Sequence, residues 1–279
     1  SKLSIELIRV LGIEQLNRDI LKTLELYSDQ NGFNNAAALL ADTNSFKGID
    51  IIRFGNSINE IMERKSLENI SILLQMEQCI QMFHQYYRYE KIEGMDRKSV
   101  DKIPERAFRE AVANALVHRM WDIPASIKIS MYSDKIEISS PGGLPAGISE
   151  DEYLNGQISL LRNPIIGNVF FRLKYIEKFG TGIMRINYAY KDALIKPDYH
   201  IFSNSIQIIL PVIKSDYKLN ETEKKLLNIL KINGSMTRNE IEKAAEIDKS
   251  KAIRGLNRLI EKKMIQKRDL GRGTKYEIV

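Results

Sequence analysis

Pro104-Glu105-Arg106-Ala107-Phe108-Arg109-Glu110-Ala111-Val112-Ala113-Asn114-Ala115-Leu116-Val117-His118-Arg119-Met120-Trp121 is the stretch around which the chain is organised. Pro104 suits the first turn of a helix, where its missing N–H would have no partner anyway. Ala107, Phe108, Ala111, Val112, Ala115 and Leu116 recur at helical spacing and predict a helix buried along one side. Glu110, Asn114 and His118 follow one another at intervals of four, so a carboxylate, an amide and an imidazole project in line from a largely buried element. Such a row is either a set of satisfied core polar groups or the wall of a site.

Two glycine clusters follow and favour the site. Ser139-Ser140-Pro141-Gly142-Gly143-Leu144-Pro145 comes directly after a predicted strand, and Phe179-Gly180-Thr181-Gly182-Ile183 opens a further helix. Glycine lets backbone amides approach a phosphate, and a helix N-terminus adds a favourable dipole. Gly142, Gly143, Gly180, Thr181 and Gly182 are therefore candidate ligand-holding positions beside Asn114 and His118, with Glu110 as the candidate catalytic carboxylate.

Residues from Asp42 to Pro211 resemble the C-terminal region of bacterial RecG-related ATP-dependent DNA helicases, proteins also described as transcriptional regulators with a Schlafen-type N-terminal domain. The resemblance rests on Arg109 to Arg119, on Ile138 to Pro145, on Arg162-Asn163-Pro164 and on Glu177 to Gly182. That region in turn looks like a divergent member of the GHKL ATPase fold of gyrase, histidine kinases and MutL, which implies a helical layer on one mixed sheet. By this likeness Glu110 stands at the place of the water-activating carboxylate and Asn114 at that of the magnesium-ordering amide. Gly180 and Gly182 stand where backbone amides hold phosphate. ATP and magnesium are the implied cofactors. Two positions depart from the pattern: Ser139 stands where the adenine-accepting aspartate is usual, and Met120 where relatives carry an acid. The expectation is accordingly weak or absent hydrolysis. Lys174, Lys178 and Arg185 are candidates for a charge-stabilising finger by proximity in sequence only.

At 279 residues the chain has room for two domains. The single cysteine, Cys79, sits beside the stripe Leu73, Met76, Ile80 and Phe83 and reads as a small core residue. The histidines His84, His118 and His200 are too scattered to suggest a metal cluster. The start at Ser1, without a charged-then-apolar leader, leads us to expect a segment of a longer cytoplasmic protein, with a domain upstream.

Taken in order, residues 4–28 predict a helix broken near Gly12, and 28–35 a turn. Ile49 to Phe54 predicts a strand, Ser66 to Tyr87 a long helix, and Tyr89 to Ile92 a strand before a polar link through Asp101. The aromatic cluster Phe83, Tyr86, Tyr87 and Tyr89 suits core packing or a dimer face better than base stacking. Ser126 to Tyr132 and Lys135 to Ser139 alternate around Ser133-Asp134 as a hairpin. Ile148 to Leu160 is a candidate lid. Helices are expected from Asn163-Pro164 to Leu173 and from Ile183 to Asp192, then a hairpin of Tyr199 to Phe202 with Ser205 to Leu210.

The C-terminal stretch predicts a separate module. Asn220 to Lys231 is helical and ends at Gly234; Thr237-Arg238-Asn239-Glu240 is a capping box for a second helix, and Asp248 caps a third running to Lys262. Met264 to Arg268 and Thr274 to Val279 flank a turn at Gly271-Arg272-Gly273. Three helices and a hairpin make a winged helix-turn-helix. The net charge of +6 divides unevenly: Lys249 to Lys275 carries +8 and the remainder −2. Lys249, Lys251, Arg254, Arg258, Arg268, Arg272 and Lys275 are therefore candidate contacts to double-stranded DNA, the alternative being solvated charge on an interaction module.

The expected fold class is α+β: an N-terminal helical segment (1–41), a GHKL-like domain (42–213) with a helix layer on a mixed sheet, and a winged helix-turn-helix (216–279). The expected function is a homodimeric DNA-binding transcriptional regulator with a divergent nucleotide-binding domain. The alternatives are an ATPase of DNA metabolism and a scaffold with a decayed nucleotide site. Helicase action by this chain is disfavoured, because it contains no Gly-x-x-x-x-Gly-Lys-Ser/Thr loop.

Overall fold

The computed structural model describes residues 1–94, 96–156, 160–177, 180–193, 195–213, 219–262, 264–269 and 274–278. They belong to two compact units, Ser1–Ile213 and Lys214–Val279.

The first unit runs α1 (Lys2–Leu11), α2 (Arg18–Thr23), β1 (Tyr27–Ser28), β2 (Gly32–Phe33), α3 (Asn35–Leu40), β3 (Ile49–Phe54), β4 (Ile61–Leu67) and α4 (Ile72–Tyr87). It continues with β5 (Arg88–Glu93), β6 (Asp96–Asp101), α5 (Glu105–His118), β7 (Ile127–Met131), β8 (Lys135–Pro141), α6 (Glu150–Leu154), α7 (Pro164–Arg172), α8 (Gly182–Ala189), β9 (Asp198–Phe202) and β10 (Ser205–Pro211). A six-stranded sheet has the order β4-β3-β7-β8-β10-β9. Its pairs are antiparallel except β3 with β7, where Ile49 to Arg53 run parallel to Ile127 to Met131.

Alternation decides which face is covered. Ile136, Ile138 and Ser140 on β8 are buried, whereas Lys135, Glu137 and Ser139 between them are only partly so. Ile208 and Leu210 on β10 and Ile127, Ile129 and Met131 on β7 complete the apolar face. Across it lie α4 and α5, whose Phe83 and Phe108 rings stack at 4.6 Å. Residues 1–41 are part of this body: Leu3, Leu7, Leu24, Leu26, Leu39 and Leu40 are buried in the same core.

Three expectations require correction. The helix expected from Ser66 begins at Ile72, because 61–67 form strand β4, Asn69 turns the chain at φ 60°, and Ser71 caps α4 through Leu73 N (3.3 Å). The polar link before Asp101 is strand β6, paired with β5 from Arg88↔Asp101 to Glu93↔Asp96. The turn at 28–35 holds the small hairpin β1–β2. The aromatic cluster divides: Phe83 and Tyr87 are core, while Tyr86 lies under Arg53 (4.3 Å) and donates to Glu63.

The second unit comprises α9 (Glu221–Asn233), β11 (Met236–Thr237), α10 (Arg238–Ala245), α11 (Lys249–Glu261), β12 (Ile265–Asp269) and β13 (Thr274–Ile278). Asn220, Thr237 and Asp248 cap its helices, the first two as full capping boxes. Leu226, Leu230, Ile241, Leu256 and Leu259 fill the core, and α11 comes so near α9 at Gly255 that a Cβ there would lie 2.5 Å from Leu226 Cδ1. The sheet order β11-β13-β12 supplies the wing strands of a winged helix. No helix among the described residues is long and apolar enough to cross a membrane.

Candidate ligand cleft and basic helix

In the first unit the row on α5 forms one wall of a cleft that opens to solvent. Glu110, Asn114 and His118 face Gly143 and Pro145 after β8, Gly180 and Gly182 at the start of α8, and Tyr153 from α6. Ile148, Leu160, Leu161, Ile183 and Ile206 supply the apolar lining. Six of the candidate positions are thus brought to one cavity: Glu110, Asn114, His118, Gly143, Gly180 and Gly182.

Gly182 must be glycine for the cleft to have this shape. It opens α8 directly over α5, and a Cβ there would lie 2.5 Å from Asn114 Nδ2 and 3.0 Å from Glu110 Oε1. Gly142 and Gly143 serve otherwise. Gly142 has φ 105°, its N–H donates to the Asn204 carbonyl (2.8 Å), and a Cβ would strike Met120 and Arg162. A Cβ on Gly143 would run into the backbone oxygen of Ser203. Gly142 therefore does not line the cleft with its neighbour; it lets β8 turn beneath the β9–β10 hairpin. Thr181 caps α8 without a side-chain bond, and its Oγ1 is buried with no partner among the described residues.

The electrostatics follow from burial. Desolvation raises the Glu110 carboxyl above the usual carboxylate range, a change that Arg185 and Arg106 oppose and Glu177 reinforces. Desolvation and then the Arg162 charge push His118 down to about 4, so its imidazole is neutral at pH 7. Neither Glu110 nor Asn114 has a side-chain hydrogen bond among the described residues.

Ser139, at the expected place of the adenine acid, belongs to the sheet face turned away from α5. Its neighbour Ser140 faces α5 and donates to the Ala115 carbonyl (3.0 Å). Sequence reasoning missed the role of Arg162 and Asn163. Arg162 donates to His118 O (3.1 Å) and Gly143 O (2.8 Å), and Asn163 Nδ2 donates to Val117 O (2.7 Å) and Arg119 O (2.8 Å). These bonds satisfy carbonyls that the end of α5 leaves open and fix it against the glycine turn. Arg119 is fully buried, with bonds to Lys47 O (2.8 Å) and Ala125 O (2.6 Å), so it is a structural member of the His118-Arg119 pair. Lys174 and Arg185 lie in the adjoining hollow; Lys178 is outside the described residues.

In the second unit Lys249, Lys251, Arg254 and Arg258 are exposed along α11, and Lys267 and Arg268 along β12. Arg258 also leans toward the buried Glu223 (3.8 Å), whose nearer partner is Lys262 (2.7 Å), and Arg268 pairs with Glu277 (3.2 Å). Lys275 is half-buried on β13. Arg272, expected at the wing tip, is outside the described residues.

Both units have counterparts among known families. Residues 125–210 match the family model "Putative ATP-dependent DNA helicase recG C-terminal". Residues 213–279 match "Sugar-specific transcriptional regulator TrmB". The first match starts after α5, so the place of Glu110 and Asn114 in the site rests on the cleft geometry. The crystal structure of the DIP2311 protein from Corynebacterium diphtheriae is similar with a TM-score of 0.67 at 19% identity, over 100% of this chain and 61% of that chain, a likeness of fold. No curated protein matches.

Proposed function

We propose that the chain is a DNA-binding transcriptional regulator in which the TrmB-like unit binds duplex DNA and the ATPase-like unit binds a nucleotide. The observation that carries this reading is the exposed row Lys249, Lys251 and Arg254 on the third helix of the winged unit, the helix that such folds lay in the major groove. Arg258, held near Glu223, contributes less.

The nucleotide part is supported by what the cleft leaves unsatisfied. Glu110 and Asn114 lie bare of hydrogen bonds where Gly182 clears space, and Thr181 Oγ1 is buried without a partner. Asn114 would hold magnesium, and the amides opening α8 would hold phosphate. Bound with magnesium, ATP would supply a phosphoryl bond open to attack by water. Glu110, its proton affinity raised by burial, would take a proton from that water. Base selectivity is loose in this reading, because Ser139 faces away and Ser140 spends its hydroxyl on Ala115. That favours binding with slow turnover, and hence a sensor over a motor.

The test is duplex binding by the whole chain at fixed salt. Lys251→Ala with Arg254→Ala should weaken binding at least about tenfold, equivalent to about 1.4 kcal/mol. Unchanged binding would assign the winged unit to protein contacts instead.

A further inference from the structure

The two edges of the six-stranded sheet are built differently. One edge, β4, is guarded: Glu63, Arg64 and Lys65 occupy its middle, and its register with β3 shifts at Arg53/Phe54. Charge and a bulge are common means of keeping an edge from pairing with another chain. The other edge, β9, reads Asp198-Tyr199-His200-Ile201-Phe202, without lysine, arginine or proline, and pairs with β10 without a shift. Its aromatic and β-branched residues favour a strand, and alternate residues of an antiparallel edge turn N–H and C=O outward. Among the described residues no backbone hydrogen bond reaches that outer side. Exposed apolar side chains gather in the adjoining segments. Phe202 is on the strand itself, Ile195 lies just before it, and Met184 and Tyr188 stand one turn apart on α8, whose Asn187 accepts from Tyr199 Oη (2.9 Å).

We infer that β9 pairs with β9 of a second copy of this chain, antiparallel about a two-fold axis at His200, so that two sheets join into one. The strand's own sequence argues for this occupant, because the register that opposes its whole length is self-complementary. On the side of the Tyr199–Asn187 bond, Tyr199 of each copy meets Ile201 of the other, an aromatic ring against a β-branched side chain. On the opposite side His200 meets His200, and Asp198 of each copy lies diagonal to the other's His200, about 7–8 Å away and opposite in charge when the imidazole is protonated. Within one copy His200 already lies between Asp198 (3.0 Å) and Gln207 (3.2 Å), which fixes the ring on that face. A two-fold contact uses the same edge on both copies and leaves the guarded β4 edges outermost, so the assembly closes at two chains.

The experiment is light scattering of the whole chain across a concentration series, without DNA or nucleotide. The samples are the parent, His200→Lys, His200→Glu and an equimolar mixture of the two variants. His200 is exposed, so each variant should keep the parental melting temperature. The expected result is a parental mass that rises with concentration from one chain to two and goes no further. Like charges opposed at the axis should weaken the dimer at least about tenfold in either variant, and the mixture, with lysine opposite glutamate, should return to within about threefold of the parent. A parent of one-chain mass throughout overturns the inference and leaves the edge to a strand of a different protein. Variants that pair as tightly as the parent, or a mixture as weak as its components, overturn it by removing His200 from the axis. A mass beyond two chains overturns the closed pair.

Discussion

Single residues set the shape of the cleft, and two glycines do so in opposite ways. At Gly182 the atoms a new Cβ would meet are the mobile ends of Asn114 and Glu110. Gly182→Ala should therefore change stability by less than about 1 kcal/mol while weakening nucleotide binding at least about tenfold. At Gly143 the obstacle is the backbone of Ser203, which cannot swing aside. Gly143→Ala should cost about 1–3 kcal/mol in urea unfolding. His118 adds a pH dependence. Its folded value near 4 lies below the unfolded value near 6.5, so the unfolded chain binds the proton first. Stability due to this group is present above pH 6.5 and lost as pH falls toward 4, by on the order of 2 kcal/mol. Unfolding curves at pH 7 and pH 4.5 should show a smaller acid loss for His118→Gln than for the parent; equal losses would mean that the imidazole is freely hydrated.

At the scale of elements, α5 was legible because period, Pro104 and the polar row agree on one element, and the structure places it at Glu105–His118. The capping boxes made the winged helices legible in the same way. Strand β4 was not, since Ile61-Met62-Glu63-Arg64-Lys65-Ser66-Leu67 is an edge strand with both faces largely exposed and so carries little alternation. Strand β6 was hidden by polarity: its partner β5 is its source of order, and pairing is not written in either strand alone. The cleft was half legible. The α5 row and the Gly180–Gly182 turn were, but the Arg162-Asn163 clamp joins residues more than 40 apart and has no local signature. Asn163→Ala opens the Val117 and Arg119 carbonyls and should cost about 1–3 kcal/mol, measured by urea unfolding.

For the whole molecule, charge is the organising quantity. The +8 between Lys249 and Lys275 is offset by −2 elsewhere, so long-range attraction to a polyanion originates in the second unit. On α4, Leu73, Met76, Cys79 and Phe83 are buried inside the first unit, and Ile80 is partly buried against the same core. The measurement that tests the DNA assignment most directly is fluorescence anisotropy of the whole chain on a duplex across a salt series. The parent is compared with Lys249→Ala/Lys251→Ala/Arg254→Ala. Each phosphate contact contributes about −0.9 to the slope of log affinity against log salt, so the triple variant should flatten it by about two to three units. A variant that keeps the parental slope and affinity would contradict the account and place the partner of α11 outside nucleic acid.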